Sequence, residues 1–282
     1  MKETLTSIYR NAIKTSLFTV AIAATTVFQS AATAARFEVT IENIAPEDGV
    51  FFSQTWVGIS DGQLDLFDDG QPAPEFIERL AEDATTEPEG PFQNTLSTAF
   101  EASGAEGIET TIAGLTGSFL NFFPGDSVTT TFEVDDPTTS RYFSYAAMIL
   151  PSNDAFFGNE DPFAIEIFDE EGNFLGADFI ITGNQIGDAG TEVNDEIPGN
   201  TAALAQAAPD TGVDENGLVL PHPGFIPGGN ILAARPGADF TQPGYEVARI
   251  TIEKVPEPAT SAGLLALGGL FLLKNKRSLK NR

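Results

Sequence analysis

Acidic side chains are the main chemical resource of this sequence. Glu133 closes a strand-like segment. Asp154 sits in Pro151-Ser152-Asn153-Asp154-Ala155-Phe156-Phe157-Gly158, just after another, and Asp188 and Glu192 share the acidic stretch 188–196. Loops at strand ends that converge several carboxylates make a site for a hard cation. Calcium takes six to eight oxygens, backbone carbonyls among them, so such loops suit it. The competing description is solvation, which in a chain with 41 Asp+Glu applies to most loop acids. No EF-hand loop is present: residues 65–70 supply the glycine but place Phe67 where a ligand is needed.

Other chemistries are poorly provided for. The absence of Cys excludes thiol catalysis, disulfides and Cys-ligated metals. His222 is the one histidine; in the rigid run Pro221-His222-Pro223-Gly224 it could be a ligand or a general base, but no nucleophile is paired with it, and a loop residue capping a strand is the plainer reading. Ser118 and Ser152 lack the nucleophile-elbow context. Glu170 and Glu171 could suggest a glycosidase pair, yet they fall at an expected hairpin tip. Trp56, with Phe51 and Phe52, could stack on a sugar; core packing is the simpler use.

The elements that must position these residues read as β-structure. Residues 36–43 alternate apolar Phe37, Val39 and Ile41 with polar neighbours, as a half-buried strand does. Further strands are expected at 51–59, 109–112, 127–135, 142–150 and 246–254, with a hairpin over 163–181 turning at 169–173. Pro74 to Ala84 predicts the one short helix: Phe76, Ile77 and Leu80 share a face, and Glu75 suits its positive end. Residues 85–118 and 183–217 read as irregular chain. With 27 Gly and 18 Pro, the expectation is one all-β domain over 35–254, an antiparallel β-sandwich with a single short helix.

Both ends carry targeting features. Residues 1–34 read as a signal peptide: Lys2, Arg10 and Lys14, a short apolar stretch to Phe28, then Ala32-Thr33-Ala34. Residues 255–282 join Pro256-Glu257-Pro258, an apolar run from Ala262 to Leu273 and a basic end from Lys274 to Arg282. The run is short for a permanent span and implies a transient membrane anchor through a C-terminal helix. Between the ends the basic residues are only Arg36, Arg79, Arg141, Arg235, Arg249 and Lys254, while Glu3 and Glu257 are the two acids that lie in the ends. The body is therefore more negative than the whole chain's formal −27. It repels phosphate, which excludes a basic nucleic-acid surface, and it repels itself unless cations are bound.

The tail resembles the PEP-CTERM sorting signal of Gram-negative bacteria over its whole length. That resemblance implies processing by an exosortase and delivery to the cell envelope surface or extracellular matrix. The run Pro151 to Gly158, followed by Asp188-Ala189-Gly190-Thr191-Glu192, resembles the spondin N-terminal domain family. Phe37 to Asn43, Phe52-Ser53, Val57-Gly58 and Leu80-Ala81-Glu82 add to the likeness, which spans roughly residues 36–254. It implies a C2-like antiparallel β-sandwich, a Ca2+ ion, and adhesion or recognition without catalysis. Carried over by position, the metal ligands are Glu133, Asp154, Asp188 and Glu192, with Asp135 or Asp136 as alternatives to Glu133. The aromatic after Asp154 is displaced by one place relative to the family pattern, and the animal members' cysteines are missing. Exopolysaccharide or a surface protein is the implied partner. The rival expectation, from another class, is a secreted polysaccharide-active hydrolase using paired carboxylates.

Overall fold

Strand alternation sends Phe37, Val39 and Ile41 to one side of the first strand, and the architecture follows from where such faces meet. The computed structural model describes residues 34–255, except 116, 118 and 119. The signal-peptide and sorting-signal assignments lie outside the described residues. No described helix is long and apolar enough to cross a membrane.

In chain order the strands are β1 (Ala35–Asn43), β2 (Phe51–Phe52), β3 (Thr55–Ser60), β4 (Gly107–Ile112), β5 (Ser127–Val134), β6 (Tyr142–Leu150), β7 (Ala155–Gly158), β8 (Ala177–Thr182), β9 (Gly187–Asp188), β10 (Leu220–Pro221) and β11 (Glu246–Lys254). The helices are α1 (Glu75–Asp83), α2 (Leu96–Ser103) and α3 (Asn230–Ala234). One sheet has the order β5-β1-β11-β8. The other runs β10-β9-β7-β6-β3-β4, with β2 paired to β6. All pairings are antiparallel.

The two sheets face each other across a shared core. Phe37, Val39, Ile41 and Ile250 from one sheet meet Val57, Ile59, Phe143 and Phe157 from the other. A second apolar cluster lies on the outer side of the larger sheet, where Trp56, Ala146 and Phe156 pack under Ile77, Leu80, Leu96 and Phe100 of the helices. This double cover explains why β3 and β6 are buried almost continuously while β1 and β5 alternate: a strand covered on both faces has no solvent side to mark.

The expected all-β organisation and the helix after Pro74 are both present. Three expectations need correction. The helix is not single, because α2 and α3 form besides α1. Residues 85–118 are not all loop, because α2 forms there. Its apolar positions Leu96, Ala99 and Phe100 have helical spacing, and Thr98 Oγ1 accepts the Thr95 N–H at 2.9 Å at its start. Residues 163–181 are not a simple hairpin. The turn is held by Asp169, whose Oδ1 accepts the Glu171 and Asn173 amides at 3.0 and 2.8 Å, but only a single bridge joins Phe168 to Phe174. The following strand, β8, crosses to the other sheet and pairs with β11.

Candidate functional site: a buried acidic cluster

Asp154 is placed by the exit of β6. The chain leaves Leu150, and Ser152 Oγ ties the loop by donating to the Ile149 carbonyl at 2.6 Å and accepting the Ala155 N–H at 3.1 Å. Asp154 follows with 0% of its surface exposed. Its Oδ2 accepts the backbone N–H groups of Thr191 and Glu192 at 2.8 and 3.0 Å and the Thr191 hydroxyl at 3.3 Å. Its Oδ1 is buried with no hydrogen-bond partner. Such an oxygen is costly unless something outside the protein reaches it.

The register of β7 on β9 sets Ala155 opposite Asp188 and so brings the second acid alongside. Asp188 Oδ1 accepts the Gly190 N–H at 2.8 Å, and Oδ2 accepts Asn194 Nδ2 at 2.6 Å. Gly190 turns here with φ of +67°, and a Cβ on it would lie 2.6 Å from the Leu218 carbonyl oxygen, so the turn requires glycine. Burial, with the charge of Asp188 adding to it, lifts the Asp154 carboxyl from 3.8 to about 7; the bonds from Glu192 and Thr191 pull the other way.

Glu192 is buried, but its carboxylate is directed away from Asp188, toward the 210–212 loop. Oε1 accepts the Gly212 N–H at 2.8 Å, and Oε2 has no partner. Burial, with repulsion from Asp83 and Asp210, lifts it to about 7, against the bond from Gly212. Beside it, α1 delivers Glu82, which sequence reasoning used only as part of a helix. Glu82 is buried, its Oε2 is unpartnered, and burial lifts its carboxyl to about 8, with Glu192 adding and Thr191 opposing. Thr191 thus touches both Asp154 and Glu82. Nothing in the local sequence marks Glu82, because its significance comes from the loop that α1 packs against.

The neighbouring acids of α1 are compensated differently. Carboxylate oxygens of Glu78, Glu82 and Asp210 all lie within 4.8 Å of one another, a grouping that could hold a metal ion. Arg79 stands among them, however. Its guanidinium contacts Glu78 and lies 3.5 Å from both Glu82 and Asp210 and 3.7 Å from Asp83. A cation of the chain already serves that pocket.

Glu133 is not brought to the cluster. On β5 it lies between Phe132 and Val134, which both face the core, so alternation turns it to solvent, opposite Arg36 of β1. β5 hands the chain to the start of β6, and Asp154 follows the far end of that nine-residue strand. At about 3.3 Å per residue this separates the two acids by most of the sandwich's length. Asp136 is likewise at Glu133's end, exposed, with Oδ1 accepting the Thr138 N–H at 3.0 Å. Asp135 is also exposed there.

His222 acts as a structural brace. Its Nδ1 accepts the Gly224 N–H at 3.0 Å, so Nε2 carries the proton and donates to Asn194 Oδ1 at 3.2 Å. Asn194 in turn donates to Asp188, so the ring fixes the amide that orients the acid. Packed edge-on to Phe225 and Phe240, the imidazole is held by burial at about 4, with Asp188 opposing. Ser152 is committed to its own loop, and Glu170 and Glu171 are exposed beside the Asp169 turn. Trp56, Phe51 and Phe52 are buried, and Trp56 Nε1 donates to Glu109 at 2.7 Å, so no sugar reaches them.

Asp154 and Asp188 thus lie side by side, with Glu192 and Glu82 adjoining through Thr191; among the described residues no three of these four acids bring carboxylate oxygens within 4.8 Å of one another. Asp154 Oδ1 and Glu192 Oε2 are buried and unpartnered; Glu82 Oε2 is buried without a hydrogen bond but faces the Arg79 guanidinium at 3.5 Å. Oxygen-only donors with incomplete hydrogen bonding are the donor set of a hard cation. No family model matches the sequence, and no curated protein matches it.

Proposed function

We propose that this chain is an exported, surface- or matrix-associated β-sandwich of spondin type that binds calcium and serves adhesion or recognition rather than catalysis. The observation that carries the reading is Asp154. Its carboxylate is wholly buried, one oxygen is saturated by the Thr191–Glu192 backbone, the other is unpartnered, and Asp188 lies beside it. Calcium fits that donor set with Asp154 and Asp188 as ligands and loop carbonyls completing the shell, while Glu192, the fourth residue of the family pattern, would have to turn its carboxylate from the Gly212 amide to join them. The ion pins the Asp188–Glu192 loop to the β6–β7 corner. Delivery to the surface, through exosortase processing of the tail, rests on the sequence of residues 1–34 and 255–282. The hydrolase reading is less well supported, since it needs two carboxylates flanking an open cleft and Asp154 has no exposed surface.

Calorimetric titration of the full-length chain with calcium tests this. Saturable binding is expected, lost in Asp154→Ala and unchanged in Glu133→Gln. No binding heat, or heat that survives Asp154→Ala, overturns the site.

A further inference from the structure

The backbone groups of a strand alternate in direction, so the pairing of β8 with β11 determines which of its residues stay free. β8 ends the four-stranded sheet, with β11 on one side and no described strand on the other. Just past β8, Gly183 donates its N–H at 2.8 Å to the carbonyl of Tyr245, the residue before β11. Thr182 points the other way and gives its N–H to Gln185 Oε1 at 2.9 Å. By alternation Ile181 and Phe179 bond β11, opposite Ala248 and Ile250, while Asp178 and Ile180 turn both N–H and C=O outward. Among the described residues no group takes them.

Such an edge is a template for a further strand and is normally blunted by lysine, proline or a covering loop. Residues 177–182 contain neither Lys nor Pro. Their one charge, Asp178, is held by the Arg249 guanidinium at 2.7 and 2.5 Å.

The space beside the edge is open. In the facing sheet β7 and β9 are only four and two residues long, and a cavity of about 740 Å³ runs along Ala177 to Ile180. An apolar side chain entering between the sheets meets half-buried Phe179 from β8 and Leu220, 51% exposed, from β10. The lining also includes Asp69, Glu160 and Asp161, which are exposed and outside every described ion pair.

These features converge on one kind of ligand. The outward backbone groups match an extended main chain, and the cavity takes an apolar side chain from its inner face. Side chains two residues away lie on that same face, where the uncompensated acids call for positive charge. A second copy of this acidic chain would bring its own carboxylates to the rim and is repelled.

We propose that the β8 edge docks an extended, basic segment of a partner protein, which adds to the four-stranded sheet as an antiparallel strand. The segment carries an apolar residue opposite Phe179 and Lys or Arg at the alternate positions beside it. The site uses none of the calcium ligands and does not depend on that reading.

The test titrates the full-length chain with the peptide acetyl-Thr-Lys-Thr-Leu-Thr-Lys-Thr-amide, followed by calorimetry and by amide hydrogen exchange. Saturable binding is expected, with slowed exchange at Asp178 and Ile180 and little change at Phe179 and Ile181, whose amides are already bonded. Glutamate in place of both lysines is expected to weaken binding about tenfold. N-methylation of the two threonines flanking the leucine removes the donors that face β8 and is expected to weaken it about tenfold as well. In the chain, Glu160→Gln combined with Asp161→Asn is expected to weaken the lysine peptide without lowering the melting temperature. Absence of binding, equal binding of the glutamate or N-methyl peptide, undiminished binding by the double variant, or unchanged exchange at Asp178 and Ile180 overturns the proposal and leaves the edge to solvent.

Discussion

The buried state of Asp154 gives the calcium reading a pH signature that surface acids cannot imitate. The perturbation is calcium against a chelator, applied from pH 5 to pH 8 with the full-length chain. At pH 8 Asp154 is ionised, and calcium at 100 times its Kd stabilises the fold by about 2.7 kcal/mol. For a domain of this size that is about 5–10 °C in Tm. With the carboxyl held at about 7, only about one chain in a hundred presents the carboxylate at pH 5, so affinity falls about a hundredfold and the stabilisation shrinks to about 0.4 kcal/mol. An ordinary exposed aspartate, near 3.9, stays mostly ionised at pH 5, and its gap does not close.

The metal-free limb has its own sign. Asp154 holds its proton more tightly folded than unfolded, so the chelated chain loses up to about 4 kcal/mol as pH rises from 3.8 to about 7. His222 works in the opposite direction. Neutral in the fold down to about 4, against 6.5 unfolded, it costs stability as pH falls from 6.5 through 4. Glu192 and Glu82, raised like Asp154, add to its trend. His222 does not ligate, so its limb is common to both arms, and the calcium-minus-chelator gap isolates the acids. Thermal melts by circular dichroism measure it. A gap that is absent, or equal at pH 5 and pH 8, refutes the reasoning.

Two substitutions probe the scaffold. Gly212→Ala builds a Cβ 1.9 to 2.2 Å from the Glu192 carboxylate atoms, so the acid must move; a loss of about 1–3 kcal/mol and weaker calcium binding are expected, read by chemical denaturation and calorimetry. Tyr245→Phe strands the Val50 amide and the Gly237 carbonyl and is expected to cost about 1–3 kcal/mol, whereas Tyr145→Phe removes a hydroxyl with no protein partner and leaves the denaturation midpoint unchanged or higher.

What the sequence could convey tracks how local each determinant is. β1, β6 and β11 are legible because apolar alternation, or a nearly continuous apolar and aromatic run, lies within nine residues. The helix α1 is legible from its stripe and Pro74. By contrast α2 hides among Thr, Ser and Gly, since eight residues with three apolar positions barely define a face. The departure of β8 for the other sheet is invisible, because strand composition names no partner. For the site, Asp154 and Asp188 are tied by short-range geometry: each sits at the end of a strand segment, and a two-residue pairing sets one beside the other. Glu133 misleads because its strand does converge with β6, but at the wrong end. Glu82 is missed because nothing within α1 says which loop will cover it.

The distribution of positive charge explains why this cluster, and not another, asks for an external cation. Among the described residues the chain has six basic side chains. Arg79 serves the α1 acids, Arg141 pairs with Glu166 and Arg249 with Asp178. Arg235 donates to the Gly49 carbonyl and lies over Phe51 and Phe123. Arg36 and Lys254 stand on β1 and β11 at the end of the sandwich that holds Glu133. No described ion pair reaches Asp154, Asp188 or Glu192. Asp154 and Glu192, buried, incompletely hydrogen-bonded and outside every described ion pair, can stay in the fold in two ways. They can hold protons, which caps their charge at neutral pH, or they can hold a metal. The raised carboxyls describe the first state and calcium the second, and the exchange between them is what the pH-dependent gap measures.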